Sequence, residues 1–274
     1  MTTLRLRWGT ALTLTVGGLF GVAAVGWPLL ITPSSHLSEG LTGPWLFAGL
    51  LPLVLAAMLV QISEGGLDAK AVAMLGVLSA VIAAVRPFGA GTAGVETVFF
   101  LLLLAGRVYG PGFGFVLGNT ALFASALLTG GVGPWLPFQM LGAAFFALGA
   151  GLLPRARGWW ELVMLSGYGA VASLGFGLML NLSFWPYAVS DGSPLSYEAG
   201  ASVAENLSRL VAFNLATSLG WDIGRAITTT VLILTCGPVL LRVFRRAARK
   251  ARWHNETRPV PRVAEPAGST VSPS

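Results

Sequence analysis

The chain has 274 residues, of which 54% are hydrophobic and only 10% are charged, and its mean hydropathy is +0.75. Soluble globular domains carry about a quarter charged residues, so this composition excludes an ordinary water-soluble protein and predicts an integral membrane protein. The formal charge of +6 includes the basic stretch LRVFRRAARKARWH over residues 241–254. At the end of an apolar run, such a stretch is typical of cytoplasmic charge beside a last membrane span, and we expect no nucleic-acid partner.

The apolar runs predict eight transmembrane helices, because one span needs about 20 mostly apolar residues. The predicted ranges are 11–31, 44–62, 70–86, 94–108, 111–130, 138–154, 160–185 and 207–241. The fourth and sixth ranges are short, and their length alone is equally compatible with buried or re-entrant segments.

Basic residues predict the topology of these spans. With both termini in the cytoplasm, eight crossings place most of the lysines and arginines on the inner side, as the positive-inside rule requires. The inner residues are then Lys70, Arg107, Arg155, Arg157 and the cluster over 242–252. Arg86 is the one clear basic residue on the outer side. Arginine far outnumbers lysine, which favours a GC-rich bacterial genome, so the predicted location is a bacterial cytoplasmic membrane.

Three parts of the chain are distinguished by these patterns. Residues 1–69 are predicted to form two N-terminal transmembrane helices, residues 70–245 a six-helix bundle, and residues 246–274 a basic and then disordered cytoplasmic tail. The first 30 residues also resemble a secretory signal peptide, but their apolar stretch is longer than usual, which favours a retained span. The predicted fold is therefore an all-α membrane protein with about eight spans.

The stretch GPGFGFVLG, residues 110–118, holds four glycines. It lacks the spacing and the βαβ context of a dinucleotide-binding loop. Instead, Gly110, Gly114 and Gly118 recur at every fourth residue, which places them on one helix face. Similar stripes of small residues are Gly76/Ala80/Ala84, Ala143/Ala147/Gly151 and Gly169/Ser173/Gly177. Small residues let helix backbones approach closely in a membrane, so the pattern predicts helix contacts, with a tight turn at Gly110-Pro111.

Polar side chains at membrane depth are costly and therefore mark candidate functional sites. With the predicted topology, most of them gather near the outer ends of the last six helices, and one, Asn119, lies deeper. The candidate ligand-binding residues are Arg86, Glu96, Asn119, Trp135, Gln139, Asn181, Trp185, Trp221, Asp222 and Arg225. The alternative interpretation is structural, with internal ion pairs between Arg86 and Glu96 and between Asp222 and Arg225.

Catalysis has little support in the sequence. The two histidines, His36 and His254, lie outside the apolar runs, and no nucleophile–base pair, metal-ligand spacing or Walker A motif is present. We therefore expect neither enzymatic activity nor a metal or other cofactor. The single cysteine, Cys236, excludes an intrachain disulfide. A membrane scaffold is a further alternative, but it gives no reason for polar residues to cluster at one end.

Three stretches together resemble a known family, the substrate-binding S components of energy-coupling factor (ECF) vitamin transporters. They are AVAMLGVLSAVIAAVRPF, VETVFFLLLLAGRVYGPGFGFVLGNTALFASALLTG and GVGPWLPFQMLGAAFFALGAGLLP, which together cover residues 71–88 and 95–154. Ala80 and Ala84 match the family's A-x-x-x-A pattern, and residues 105–111 match its turn. The stretches GGVGPWLPFQM and NLSFWPY…TSLGWDIGRA are similar to actinobacterial members associated with cobalamin-type uptake. The resemblance covers residues 70–245, whereas the two preceding helices depart from the family.

This resemblance implies a division of labour. The S component would bind a vitamin from outside, with a corrinoid such as cobalamin as the best candidate. Gly76, Ala80 and Ala84 would dock onto a transmembrane coupling subunit, and two separate ATPase subunits would drive uptake. A stand-alone secondary transporter of a small organic molecule is the alternative, although no inverted repeat is visible.

Overall fold

The computed structural model describes residues 69–89, 94–188, 192–198 and 200–256, with residues 49–56, Leu59 and scattered positions between 15 and 30. All regular secondary structure in these residues is helical. Before residue 69, Trp27–Leu30 and residues 49–56 are helical. About half of the residues in the two predicted N-terminal spans, and most of the predicted tail over 246–274, lie outside the described residues.

The helices from residue 69 onward follow the predicted order but not the predicted number. They are α1 (Ala69–Gly89), α2 (Val98–Tyr109), α3 (Pro111–Thr129), α4 (Leu136–Leu152), α5 (Trp159–Ala188), α6 (Val203–Thr217), α7 (Leu219–Thr235) and α8 (Gly237–Glu256). The prediction of one helix over 207–241 is wrong, because the chain breaks at Ser218 and Cys236 into α6, α7 and α8. The predicted boundary between bundle and tail at residue 246 falls inside α8.

Length separates these helices into two groups. Three of them, α1, α3 and α5, are long and apolar enough to cross a membrane, and α7 with α8 adds a fourth candidate that is bent by 68°. The 12 residues of α2 and the 17 of α4 extend about 18 Å and about 26 Å, less than the roughly 30 Å of a bilayer core. The described part is thus a helical protein with three to four candidate membrane spans, and eight spans stay a prediction.

Close backbone contact between α3 and α4 explains the glycine-rich stretch. A Cβ atom added to Gly118 would lie 2.4 Å from the backbone nitrogen of Ala144, and one added to Gly114 would lie 2.7 Å from the carbonyl oxygen of Ala147. Gly106 of α2 meets the same carbonyl. The predicted role of these glycines as helix contact points is confirmed. Two of the predicted small-residue stripes pack directly against each other.

The predicted tight turn at Gly110-Pro111 is also confirmed. Gly110 has a φ of 101°, a value that side chains disfavour, and Pro111 is the first residue of α3. This turn reverses the chain between α2 and α3 and allows both helices to pack on α4. Gly110 itself contacts nothing at its Cβ position, so its role is conformational.

The small-residue stripe on α1 behaves differently. Gly76, Ala80 and Ala84 are all exposed, and a Cβ atom on Gly76 would meet nothing within 4 Å. The neighbouring side of α1 carries the buried Leu75, Ile82 and Ala83, and α1 packs on α3. This stripe is therefore free in the described part of the chain, whereas the stripes on α3 and α4 are used internally.

Candidate ligand site

A cavity of about 200 Å³ opens at one end of the helix bundle. This cavity end is where α1 finishes and where α2, α4 and α7 begin, and the late turns of α3 and α5 complete the wall. The lining residues are Arg86, Glu96, Thr97, Val98, Phe99, Leu122, Gln139, Phe176, Leu180, Trp221 and Arg225. Charged, amide and aromatic groups from five helices and one loop therefore converge on one small volume, as in a typical ligand pocket.

Backbone contact between the α1–α2 connection and α7 positions the acidic side of the cavity. Gly94 has a φ of 78°, and a Cβ atom there would lie 2.3 Å from the carbonyl oxygen of Trp221. Only glycine fits this contact and this conformation. The contact brings Glu96, two residues further along the chain, against Arg225, and Thr97 follows at the cavity wall.

Arg225 is the centre of a buried ion-pair network. Its Nη1 donates to Asp222 Oδ1 at 2.7 Å and to the Ser173 carbonyl at 3.1 Å. Its Nη2 and Nε donate to Glu96 Oε1 at 2.8 and 3.1 Å. The guanidinium carbon also lies 4.8 Å from the ring centre of Phe176. Arg225 is 6% exposed and Asp222 is 1% exposed, so this network is an internal support of the cavity wall.

A polar chain continues from Asp222 toward α6. Ser218 Oγ donates to Asp222 Oδ2 at 3.3 Å, and Asn181 Nδ2 donates to Ser218 Oγ at 2.6 Å. Asn181 Nδ2 also donates to Asn214 Oδ1. The chain ties α5, α6 and α7 together, and Asn181 is occupied by contacts between helices.

Arg86 contrasts with Arg225 because it forms no ion pair with a carboxylate in the part of the chain that the structure describes. Its Nη2 donates to Gln139 Oε1 at 3.0 Å, and its Nη1 lies 3.5 Å from Ser125 Oγ. The guanidinium keeps donors that these two neutral partners do not occupy. Arg86 is thus a positive charge at the cavity wall, held in place by an amide and a hydroxyl.

Thr97 supplies a second polar group with unused hydrogen-bonding capacity. Its hydroxyl oxygen is buried at the cavity wall, and no described residue bonds to it. Phe99, Phe176 and Trp221 supply apolar ring surface beside these polar groups. Buried polar groups in proteins are nearly always paired, so the Thr97 hydroxyl indicates a site for a polar atom of a ligand or water.

The structure brings together half of the ten predicted site residues. Arg86, Glu96, Gln139, Trp221 and Arg225 line the cavity. Asp222 does not line it but contacts Arg225.

Four predicted residues lie away from the cavity lining. Asn119 is fully buried and donates to the Phe115 carbonyl, while Asn181 joins helices as described above. Trp135 is half exposed and bonds within its own loop to the Gly131 carbonyl. Trp185 is fully buried, donates to the Leu195 carbonyl and packs edge-on against Tyr197. Their contacts are those of helix packing and loop anchoring.

The alternative interpretation of the polar residues predicted two internal ion pairs, and one of the two is present. The predicted ion pair between Asp222 and Arg225 is present, with its atoms 2.7 Å apart. The predicted pair between Arg86 and Glu96 is wrong, because Glu96 turns to Arg225 instead. Arg86 is also not the only basic residue toward this end, since Arg209 of α6 pairs there with Glu198 and Glu205.

Several cavity residues were not predicted from the sequence. Phe99, Leu122, Phe176 and Leu180 stand in long apolar runs, where nothing distinguishes a side chain that lines a cavity from one that faces lipid. Thr97 could have been predicted as a site residue, because it is a polar residue directly after the predicted site residue Glu96.

A second buried ion-pair network lies at the end of the bundle opposite the cavity. Glu161, 2% exposed, accepts from Arg107 Nε at 2.9 Å and from Arg245 Nη2 at 2.6 Å. Arg107 also donates to the Leu153 carbonyl at 2.8 Å. The sequence predicts Arg107 to be an inner charge and assigns no role to Glu161. The network joins α2, α5 and α8.

Comparisons of the chain with protein families, with curated proteins and with solved structures each found no match.

Proposed function

We propose that this chain is the substrate-binding S component of an ECF-type importer, a binding subunit and not an enzyme. The resemblance of residues 70–245 to that family motivates the proposal. Three features of the described residues support it: apolar helices of membrane-crossing length, a polar cavity at one end of the bundle and a free small-residue stripe on α1.

The observation that carries the proposal is the arrangement of Arg86. Among the described residues, the Arg86 guanidinium has no carboxylate partner and the Thr97 hydroxyl has no hydrogen-bond partner, and both line a cavity of about 200 Å³. Arginine recognises carboxylate and phosphate groups through paired N–H donors. The ligand that fits best therefore places an acidic group, or an oxygen-rich polar group, against Arg86 and Gln139. An apolar ring or chain of the ligand would lie on Phe99, Phe176 and Trp221.

The size of the cavity bears on which vitamin is carried. A corrinoid, the ligand that the resemblance favours, is far larger than about 200 Å³ and requires the cavity end to open widely. A compact vitamin with one acidic group fits the described geometry without such a change. The resemblance therefore favours a corrinoid as the ligand, whereas the size of the cavity favours a compact vitamin.

The α1 stripe is proposed as the docking surface for the partner subunits. Gly76, Ala80 and Ala84 present an exposed strip without bulky side chains, which permits a helix of the transmembrane coupling subunit to approach closely. Two ATPase subunits would then power transport. In this arrangement the cavity faces outward, the protein resides in the bacterial cytoplasmic membrane and both termini are cytoplasmic.

The test begins with the full-length protein purified alone and with identification of any co-purifying small molecule by mass spectrometry. Arg86→Gln should lower its affinity about 5- to 150-fold, the effect of losing a contact worth roughly 1–3 kcal/mol. Arg157→Gln, at the opposite end, is the matched control and should bind like the parent. Equal affinity of all three proteins would place the ligand elsewhere.

Uptake assays separate the two transport mechanisms. An S component should support uptake only in cells that also produce the coupling subunit and the ATPases, and Ala80→Leu should abolish that uptake while ligand binding persists. Uptake by this chain in a host without those subunits would instead establish a stand-alone secondary transporter.

A further inference from the structure

The last described helix, α8, carries a row of exposed basic residues at the end opposite the cavity. Arg242, Arg246, Arg249 and Lys250 are all exposed and lie on one side of the helix. We call these four residues the α8 basic face. No ion pair among the described residues involves any of these four side chains.

The direction of α8 suits a helix that lies along a membrane surface. α7 runs beside α5, a candidate membrane span, and α8 turns away from α7 by 68° at Cys236. A helix that continues from a spanning helix at such an angle leaves the membrane normal and approaches the membrane plane.

Contacts with the bundle hold α8 in this direction. Leu241 and Phe244 are buried in the main hydrophobic core, and Arg245 binds Glu161. Tyr109 of α2 donates to the Phe244 carbonyl at 3.3 Å. Because this side of α8 is fixed to the bundle, the α8 basic face points outward.

The neighbouring α4–α5 connection adds charge and aromatic surface at the same end. Arg155 and Arg157 are exposed, and Trp159 and Trp160 are 64% and 74% exposed. Tryptophan is enriched where a protein meets the membrane–water interface. The only carboxylate in residues 151–161 and 237–250 is Glu161, which is buried and fully paired, so these two segments present positive charge without exposed negative charge.

We propose that the α8 basic face binds the phosphate groups of anionic phospholipids, with α8 lying in the headgroup region of the bilayer. Charge complementarity selects this partner, since each lysine or arginine near an anionic membrane strengthens binding roughly fivefold at low salt. Val239 and Val243, each 52% exposed, flank the basic face and provide apolar contact for acyl chains.

The test uses the full-length protein with a fluorophore on Cys236, the only cysteine of the chain, which is exposed at the α7–α8 break. Labelled protein in neutral detergent is titrated with mixed micelles containing phosphatidylglycerol or phosphatidylcholine, at low and at high salt. We expect binding to phosphatidylglycerol at least tenfold tighter than binding to phosphatidylcholine, and we expect high salt to remove the difference.

Variants assign the effect to α8. The triple substitution Arg242→Gln, Arg246→Gln, Arg249→Gln should reduce the preference for phosphatidylglycerol by roughly tenfold or more, because it removes three of the four charges. These side chains are exposed, so the fold should persist. Arg209→Gln, on α6, is the control and should keep the full preference.

Two results would overturn the proposal. An unchanged lipid preference in the triple variant would place anionic lipid elsewhere on the protein. No preference in the parent protein would mean that the α8 basic face serves another partner, such as an acidic protein surface.

Discussion

Two buried ion-pair networks occupy opposite ends of this bundle, and they are built in opposite ways. At the cavity end, one arginine, Arg225, lies between two carboxylates, Asp222 and Glu96. At the far end, one carboxylate, Glu161, lies between two arginines, Arg107 and Arg245. Each network joins helices that are distant in sequence, and each buries charge that would be costly without its partners.

The two networks carry net charges of opposite sign, and the charged groups around them also differ. The cavity-end network carries one excess negative charge, and Arg86 across the cavity balances it. The far-end network carries one excess positive charge beside a surface that is already basic. The cavity end is thus neutral overall, and Arg86 keeps free N–H donors in the cavity, which suits a small ligand. The far end is positive overall, which suits an extended anionic surface.

The largest expected effect comes from Glu161→Gln. Glu161 is the only carboxylate in its network, so its loss leaves two buried or half-buried arginines without a counter-charge. We expect the free energy of unfolding to fall by about 3–5 kcal/mol, measured by thermal or denaturant unfolding in detergent. The control is Glu205→Gln, which removes an exposed partner of Arg209 and should cost less than about 1 kcal/mol. Similar losses in both variants would contradict the difference drawn between buried and exposed pairs.

Asp222→Asn should have a smaller effect at the cavity end. Glu96 continues to neutralise Arg225 in this variant, so we expect a loss of about 1–3 kcal/mol in unfolding free energy. Ligand affinity should change little, because Asp222 does not line the cavity. A large fall in affinity at unchanged stability would show instead that Asp222 serves the ligand directly.

Gly177→Ala tests the same network through geometry and leaves its charges in place. A Cβ atom on Gly177 would lie 1.9 Å from Asp222 Oδ1, so the carboxylate must move away from α5. We expect a cost of about 1–2 kcal/mol in unfolding free energy from this crowding. Gly175→Ala is the matched control, because its Cβ meets nothing within 4 Å, and it should stabilise the helix by about 0.5–1 kcal/mol. Equal effects of the two substitutions would contradict the contact.

Much of the helical framework could be predicted from the sequence, because it depends on patterns that are local in the chain. Hydropathy located α1 to α5 within a few residues, and the four-residue spacing of Gly114 and Gly118 predicted their helix contact. The prediction of one helix over 207–241 missed the breaks at Ser218 and Cys236. The pair Gly237-Pro238, directly after Cys236, disfavours a continuous helix and was a usable signal for the second break, whereas no proline marks the break at Ser218. The ion pair between Glu161 and Arg245 joins residues that are 84 positions apart, and it depends on the direction that α8 takes after the break at Cys236.

The candidate site was predictable in its polar part and not in its apolar part. Arg86, Glu96 and Gln139 stand out because charge and amide groups are rare in apolar runs. The choice of partners depended on three-dimensional geometry: Glu96 is 129 residues from Arg225 and only ten from Arg86, yet it pairs with Arg225. Phe99 and Phe176 carried no distinguishing signal at all.

The backbone contacts of Gly106, Gly114 and Gly118 have a consequence for how this protein can change over evolutionary time. A side chain added there meets the main chain of α4, which cannot rotate away as a side chain can. Natural variation at these positions should therefore be confined to glycine, whereas Gly167, Gly175 and Gly220, which face open space, are free to drift. The unit of α2, α3 and α4 would then diverge slowly, while Phe176 of α5 and Trp221 of α7 could change and alter ligand selectivity without disturbing it.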